Sequence, residues 1–151
     1  MKKNLFACLL MVFISGTLCY SRPLNNDDRL LRKTVNSKPL TVVNAFIEAS
    51  KHMDAKLLSM VLNDNANLCV CLGSKMGKHS KDQIVSFYKK LGKTDLNCEA
   101  DYEIISSSNT LAVVRVDLKF PLFVQRNFIT IEQGEGGLWE ITQVNRFNEN
   151  I

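Results

Sequence analysis

The side chains best suited to chemistry in this sequence are its cysteines and histidines. Cys69, Cys71 and Cys98 lie beyond residue 60, as does His79. Zinc-binding cysteines are usually separated by about two to four residues, so the single residue between Cys69 and Cys71 does not fit that pattern. A cysteine nucleophile paired with a histidine also needs a third group to orient the base, and the sequence marks none. We therefore expect no metal, no cofactor and no catalytic residue from this set.

The N-terminal residues have the features of a secretory signal peptide. Lys2 and Lys3 precede an apolar run at residues 5–14, and small residues follow it. Cleavage is predicted after Ser21, so that residues 1–21 are removed; cleavage after Cys19 is the alternative. The apolar run is shorter than the roughly 20 residues that cross a membrane, and no later segment is longer. The sequence therefore predicts a secreted, extracellular protein with no stable membrane insertion.

Secretion bears on the three cysteines that remain after cleavage. An oxidising compartment favours a disulfide, which would leave one thiol unpaired. Alternate residues of a strand share one face, so Cys69 and Cys71 are competing partners. The prediction is a bridge between Cys98 and either Cys69 or Cys71.

Composition and charge exclude several classes of protein. The chain has 151 residues, of which 46% are hydrophobic and 23% charged, as in ordinary single globular domains. The formal net charge is +4, and without Lys2 and Lys3 there are 17 Lys and Arg against 15 Asp and Glu. Because nucleic-acid binding requires a much more basic surface, we expect no nucleic-acid partner.

The predicted mature chain divides into a leader and one domain. Residues 22–38 are polar and have no lasting apolar period, which predicts a flexible leader. The basic run at residues 29–33 is a candidate processing site, and a solvated linker is the other interpretation. The domain is predicted to cover residues 39–151.

Three helices are predicted at the start of the domain. The first begins at Pro39, which is tolerated in a first turn, and Asp54 caps the second. Ser80 and Gln83 have the spacing of a capping box for the third, and Gly92 has the position of a C-terminal stop. The third helix has one apolar stripe, formed by Ile84, Phe87, Tyr88 and Leu91.

Strands dominate the rest of the sequence. A turn is predicted at residues 63–65, followed by a short strand at 68–72 and a tight turn between Gly73 and Gly77. Hydrophobic and polar residues then alternate, which predicts half-buried antiparallel strands. These strands cover residues 99–106, 111–120, 124–133 and 138–147. Helices followed by a strand meander make an α+β fold.

This order of elements resembles the nuclear transport factor 2-like superfamily, a cone-shaped fold that includes ketosteroid isomerase. The resemblance covers residues 39–147 and rests on the element order, the entry to the third helix at residues 77–83, and the closing strand around Leu138-Trp139-Glu140-Ile141. Secreted nematode members without an assigned activity are similar to this chain. The resemblance implies N-terminal helices packed against a strongly curved antiparallel sheet. Separately, a homodimer through a sheet face is a candidate assembly.

The resemblance also implies a pocket between the helices and the sheet. Polar groups among aromatic side chains orient small ligands in such sites, and Gln143 and Asn145 fit this description on the last strand. Phe87 and Tyr88 of the third helix are expected to close the pocket. The predicted lining of the last strand is Trp139, Ile141, Gln143, Asn145 and Phe147, five residues that share one face of an alternating strand.

The residues expected for catalysis in this family are missing. If this chain were an isomerase of that family, the resemblance implies a carboxylate on the strand after the second helix and a tyrosine on the first helix. Residues 68–72 contain no carboxylate, and Phe46 occupies the position where the tyrosine is expected. His52 and His79 are expected at solvated junctions between elements. The favoured function is therefore a secreted domain that binds a small apolar or peptide-like ligand, or an interaction module. The alternative is a small secreted lyase or isomerase that transfers protons in the same pocket.

The resemblance conflicts with the predicted disulfide. In its meander, the strand of Cys69 and Cys71 is separated from the strand after Cys98 by four strand spacings, or about 19 Å along the sheet. A disulfide needs Cα atoms closer than about 7 Å. Secretion favours the bridge and the implied topology opposes it.

Overall fold

The computed structural model describes residues 25–72 and 75–151, which form four helices and one sheet. The predicted signal peptide at residues 1–21, with its cleavage site at Ser21, lies outside the described residues. The elements, in chain order, are α1 (Asn26–Val35), α2 (Pro39–Lys51), α3 (Ala55–Val61), β1 (Leu62–Leu72), β2 (Lys75–Ser80), α4 (Lys81–Leu91), β3 (Glu99–Ser107), β4 (Leu111–Lys119), β5 (Phe123–Gln133) and β6 (Trp139–Asn150).

The segment predicted as a flexible leader, residues 22–38, contains helix α1, so that prediction is wrong for most of the segment. The side chain of Asn25 accepts a hydrogen bond from the amide of Asp27 and caps the helix. Acidic residues lie in the first turn and basic residues in the last, which suits the helix dipole. The candidate processing site at residues 29–33 therefore lies within a helix.

No residue of helix α1 is fully buried; Val35 at its end packs partly against the core, and the other contacts that attach the helix are mainly polar. The guanidinium of Arg32 pairs with the carboxylate of Glu140 on β6. Just after the helix, the side chain of the fully buried Asn36 donates from Nδ2 to the carbonyl of Met60 at 2.9 Å, and its backbone carbonyl accepts from the amide of Trp139 at 2.8 Å. Sequence periodicity misses such a helix because its contacts are ion pairs and caps rather than an apolar stripe.

The caps predicted for the other helices are present. The Asp54 carboxylate accepts hydrogen bonds from two amides in the first turn of α3. At α4, the Ser80 hydroxyl accepts from the amide of Gln83, and the Gln83 side chain accepts from the amide of Ser80 at 3.0 Å. Gly92 ends α4 with a φ of +74°, a conformation open to glycine at little strain. None of the described helices is both long enough and apolar enough to cross a membrane.

The six strands form one mixed sheet in the order β2-β1-β6-β5-β4-β3. All neighbouring pairs are antiparallel except β1 and β6, which are parallel, so the predicted antiparallel sheet contains one parallel pair. The turn predicted at residues 63–65 lies inside β1 instead. The pairing of β1 with β6 is irregular between Leu62 and Asn67, which accommodates these turn-forming residues.

Helices α2, α3 and α4 pack on one face of the sheet and enclose the core. In β4 the alternation predicted from the sequence is present: Val114, Val116 and Leu118 are buried in the core cluster. Asp117 faces the opposite side and is nevertheless buried, because Arg126 binds both of its carboxylate oxygens at 2.9 and 3.1 Å. We call the face that carries the helices the inner face and the opposite one the outer face.

Candidate functional site

An irregularity in β6 decides which of its side chains reach the inner face. Thr130 of β5 pairs with Gln143, but the next residue, Ile131, pairs with Ile141, so β6 has one extra residue at Thr142. Because side chains alternate along a strand, a one-residue bulge reverses the face of everything after it. Val144 is accordingly buried in the core.

Five residues of the last strand were predicted to line a pocket, and the bulge separates them. Trp139 and Ile141 lie before it and are buried in the core cluster, outside the groove described below. Gln143, Asn145 and Phe147 lie after it and face the outer side, so their assignment to the pocket is wrong. There, Gln143 Nε2 donates to Asn145 Oδ1 at 3.1 Å and contacts Cys69 Sγ, and the rings of Phe147 and Phe128 stack at 6.0 Å.

A groove does lie on the inner face, between α4 and the β2-β1-β6 end of the sheet. Its main lobe has a volume of about 440 Å³, within the range of roughly 300–1,000 Å³ found for small-molecule sites. Phe87 and Tyr88 of α4 both line this cavity. Phe87 is more than half exposed at the rim and Tyr88 is almost fully buried. The lining of the main lobe is Leu68, Val70, His79, Gln83, Ile84, Phe87, Tyr88 and Arg146.

A smaller lobe continues the groove toward β4 and β5. It has a volume of about 230 Å³ and shares Phe87, Tyr88 and Arg146 with the main lobe. Its other walls are mainly apolar, including Met53, Leu96, Leu118 and Phe120. The two lobes together form an elongated apolar space with a single arginine between them.

Arg146 and Asn127 are the principal polar pair of the groove, and neither was predicted from the sequence. They are directly opposite each other on β6 and β5. Arg146 Nε donates to Asn127 Oδ1 at 2.7 Å, while Asn127 Nδ2 donates to the carbonyls of Val116 and Gln125 at 3.2 and 3.3 Å. Because Asn127 is fully buried, its amide holds the guanidinium in one orientation.

Other polar side chains also line the groove: His79 and Gln83 in the main lobe, and Ser50 and Gln125 in the smaller one. Ser50 of α2 borders the smaller lobe, is 2% exposed, and its hydroxyl has no hydrogen-bond partner among the described residues. His79 lies at the exposed mouth of the main lobe, within strand β2 rather than at a junction between elements. Its ring lies over Gly77, where an added Cβ would be 3.2 Å from Nε2.

Solved structures with the same architecture identify the fold. A nuclear transport factor 2-like protein of unknown function from Shewanella baltica superposes with a TM-score of 0.63 at 13% identity, over 84% of this chain and 98% of that one. A ketosteroid isomerase-like protein from Erwinia carotovora atroseptica superposes with a TM-score of 0.61 at 13% identity, over 76% of this chain and 95% of that one. The chain has the nuclear transport factor 2-like fold.

The fold is recognised from structural similarity rather than from sequence similarity. No protein-family model and no curated protein matches the chain. A third structure, a nuclear transport factor 2-like protein of unknown function from Silicibacter pomeroyi, superposes with a TM-score of 0.59 at 13% identity, over 85% of this chain and all of that one. The predicted fold is therefore confirmed, while these likenesses assign no activity to the chain.

Within this nuclear transport factor 2-like fold, the groove lacks the carboxylate that the resemblance implied for an isomerase. None of the described residues that line either lobe is acidic. The side chains there that are capable of proton transfer are His79 and Tyr88. The described residues also contain no group of three or more histidines, cysteines or acidic residues that could hold a metal ion.

The three cysteines of the described residues do not line the groove and do not form a disulfide. Cys69, Cys71 and Cys98 are all unbonded in the described part of the chain. The observed strand order puts β1 four spacings from β3, about 19 Å along the sheet, so the structure does not support the predicted pairing of Cys98 with Cys69 or Cys71. Burial raises the pKa of the Cys98 thiol above its usual value, which lowers its reactivity.

A separate charged cluster lies at the C-terminal end of α2, outside the groove. His52 Nδ1 hydrogen-bonds the carboxylate of Asp95, and its Nε2 lies 3.2 Å from the carboxylate of Glu48. The hydrogen bond with Asp95 raises the pKa of His52 above its usual value. All three side chains are exposed, as the sequence indicated for His52, so the cluster is a surface ion-pair network.

Proposed function

We propose that this protein is a secreted domain that binds a small, mainly apolar molecule in the groove between α4 and the sheet. The observation that carries the proposal is the shape and lining of the main lobe: a volume of about 440 Å³, apolar walls from Leu68, Val70 and Ile84, and one arginine. An apolar cavity with few, well-held polar groups is typical of ligand sites. The favoured role is binding without turnover, since the described lining residues include no carboxylate to act as a base.

The proposal can be tested with the neutral fluorescent probe N-phenyl-1-naphthylamine. We expect the wild-type protein to bind it with enhanced fluorescence, and Val70→Trp to abolish the enhancement because the indole fills the main lobe. Asn145→Leu is the matched control, since Asn145 pairs with the neighbouring strand but faces outward. Equal binding by wild type and Val70→Trp would contradict the assignment of the site.

The natural ligand can be sought by native mass spectrometry of the protein purified from its own source. A co-purifying molecule should be retained by Asn145→Leu and lost from Val70→Trp. A molecule retained equally by both variants binds elsewhere, and that result would remove the groove from the proposal.

A second candidate function, a lyase or isomerase using proton transfer, is favoured by one observation. His79 faces the main lobe, where its imidazole can reach a bound molecule, and histidine is the commonest general acid or base. Once a ligand is identified, turnover that is lost in His79→Gln while ligand binding persists would establish this function. Persistence of the unchanged ligand after long incubation with wild type would support binding alone.

Secretion is supported by the sequence, through Lys2, Lys3 and the apolar run at residues 5–14. N-terminal sequencing of protein recovered from culture medium should begin at Arg22. A membrane-bound product that retains residues 1–21 would contradict this part of the proposal. The homodimer through a sheet face stays a prediction.

A further inference from the structure

Arg146 differs from the other arginines among the described residues in what surrounds its charge. Arg32, Arg115 and Arg126 each pair with carboxylates, and Arg29 is exposed on α1. Arg146 lies between the two lobes of the groove, and no carboxylate of the described residues is within ion-pair distance of its guanidinium. The charge of Arg146 is therefore not balanced by the part of the chain that the structure describes.

The guanidinium is nevertheless held in a defined orientation. Its Nε donates to Asn127 Oδ1 at 2.7 Å, and this is the hydrogen bond that it makes to the described residues. Asn127 is itself fixed by its bonds to two backbone carbonyls. A guanidinium carries five N–H donors, so the two terminal nitrogens keep their donors for another molecule.

A cation beside an apolar wall attracts a compensating anion. Leu68, Val70 and Ile84 line the same lobe as Arg146, and taking a charge away from water is costly unless it is paired and hydrogen-bonded. The planar arginine fork matches a carboxylate with two parallel hydrogen bonds. Since the described lining contains one arginine and no lysine, a singly charged anion is balanced better than a dianion such as phosphate.

A second, independent feature points to a polar group in the ligand. The hydroxyl of Ser50 is buried at the wall of the smaller lobe and has no partner among the described residues. An unpaired buried hydroxyl is unfavourable, so a ligand atom that accepts a hydrogen bond from it would be stabilised. Ser50 and Arg146 both line the smaller lobe, so a ligand bound at the guanidinium borders on the same cavity as the unpaired hydroxyl.

We propose that the groove binds an amphipathic monocarboxylate, with the carboxylate on the terminal nitrogens of Arg146 and the apolar body in the main lobe. This inference rests on the proposed function and adds to it the chemical class of the ligand. The lobes leave room for an apolar chain or ring system of ordinary small-molecule size.

The test compares decanoate with decan-1-ol, which have the same apolar chain and different heads. Each is used to displace N-phenyl-1-naphthylamine from the full mature chain at neutral pH. The quantity measured is the ratio of the two affinities. Arg146→Gln keeps a side chain able to donate to Asn127. In this variant we expect the affinity for decanoate to fall roughly 10- to 100-fold relative to the affinity for decan-1-ol. Arg29→Gln removes one positive charge elsewhere and should leave the ratio unchanged.

The outcomes separate this inference from the function on which it rests. An unchanged ratio in Arg146→Gln, with probe and decan-1-ol still bound, would overturn the carboxylate assignment and leave the apolar site intact. Failure of wild type to bind the probe and either decyl compound would overturn both. An equal fall of the affinity ratio in Arg146→Gln and Arg29→Gln would mean that net charge, rather than Arg146, sets the preference for decanoate, and it would overturn the assignment to Arg146.

A second measurement needs only the wild-type protein, so it does not depend on the variant folding. Decanoate labelled with ¹³C at its carboxyl carbon is titrated by NMR, free and bound. A neighbouring guanidinium favours the ionised form, so the bound carboxyl should titrate at a lower pH than free decanoate. Burial among apolar side chains by itself raises a carboxyl pKa, so a bound carboxyl that titrates well above the free value would mean that no cation offsets this burial, and it would contradict the contact with Arg146.

Discussion

Replacing Asn127 with leucine removes the acceptor that orients Arg146 in the groove. The two residues have similar size, but leucine accepts no hydrogen bond from Arg146 Nε and donates none to the carbonyls of Val116 and Gln125. Because Asn127 is fully buried, water has little access to restore these bonds.

The expected loss of stability is a balance of two terms. The short bond to the charged guanidinium contributes about 1.5–3 kcal/mol, and the two longer bonds from Nδ2 together contribute about 1 kcal/mol. Burial of the apolar surface of leucine offsets about 1–2 kcal/mol of this loss. The free energy of unfolding should therefore fall by about 2 kcal/mol, and Tm by roughly 3–5 °C for each kcal/mol in a chain of this size.

The assay is urea denaturation of four proteins: wild type, Asn127→Leu, Arg146→Met and the double variant. If the bond exists as described, the cost of Asn127→Leu should shrink once Arg146 is gone, with a coupling energy of about 1.5–2 kcal/mol. Asn145→Leu, on the outer face of the neighbouring strand, is the matched control and should change stability by no more than about 0.5 kcal/mol.

Additive effects of the two single substitutions would refute this reasoning. Additivity within about 0.5 kcal/mol would mean that Asn127 and Arg146 do not share a bond that contributes to stability. The guanidinium would then not be held by Asn127, and its orientation toward a ligand would lose its basis. A change in the urea m-value would instead indicate an altered unfolded state.

Three further predictions concern other parts of the molecule. In an NMR titration His52 should have a pKa above 6.5, because protonation strengthens its bond with Asp95. The contribution of His52 to stability is therefore full below about pH 6.5 and is lost as pH rises through its folded pKa. Asp95→Asn should return the pKa of His52 toward 6.5, and an unchanged titration in this variant would contradict Asp95 as the cause. Alkylation in denaturant without reductant, followed by peptide mass mapping, should modify Cys69, Cys71 and Cys98, since all three are unbonded; a peptide pair linked through Cys98 would contradict the structure. Gly92→Ala should lower the free energy of unfolding by about 1–3 kcal/mol through backbone strain at φ +74° and ψ 169°, although an added Cβ meets no atom within 4 Å. Gly136→Ala is the control, since Gly136 has no positive φ and equally open space. Equal effects at both glycines would exclude backbone strain as the cause.

Local patterns in the sequence were sufficient to predict most elements and the fold. The capping box at Ser80 and Gln83 and the stop at Gly92 define α4 to the residue. The alternation of β4 identifies its buried face, since Val114, Val116 and Leu118 recur with the period of a strand. These features depend on neighbours in the chain, and they are visible in the sequence for that reason.

The site depended on contacts between distant residues, which no local pattern contains. The bulge at Thr142 exists because β5 pairs with β6 on both sides of it, and this single extra residue moves Gln143 and Asn145 to the outer face and brings Arg146 into the groove. His79 faces the groove because β2 pairs with β1, and the strand order keeps Cys98 away from Cys69. The alternation of faces along a strand can be read from the sequence of that strand alone. A bulge and the order of strands in the sheet depend on which strands pair, so only the tertiary structure decided which side chains meet.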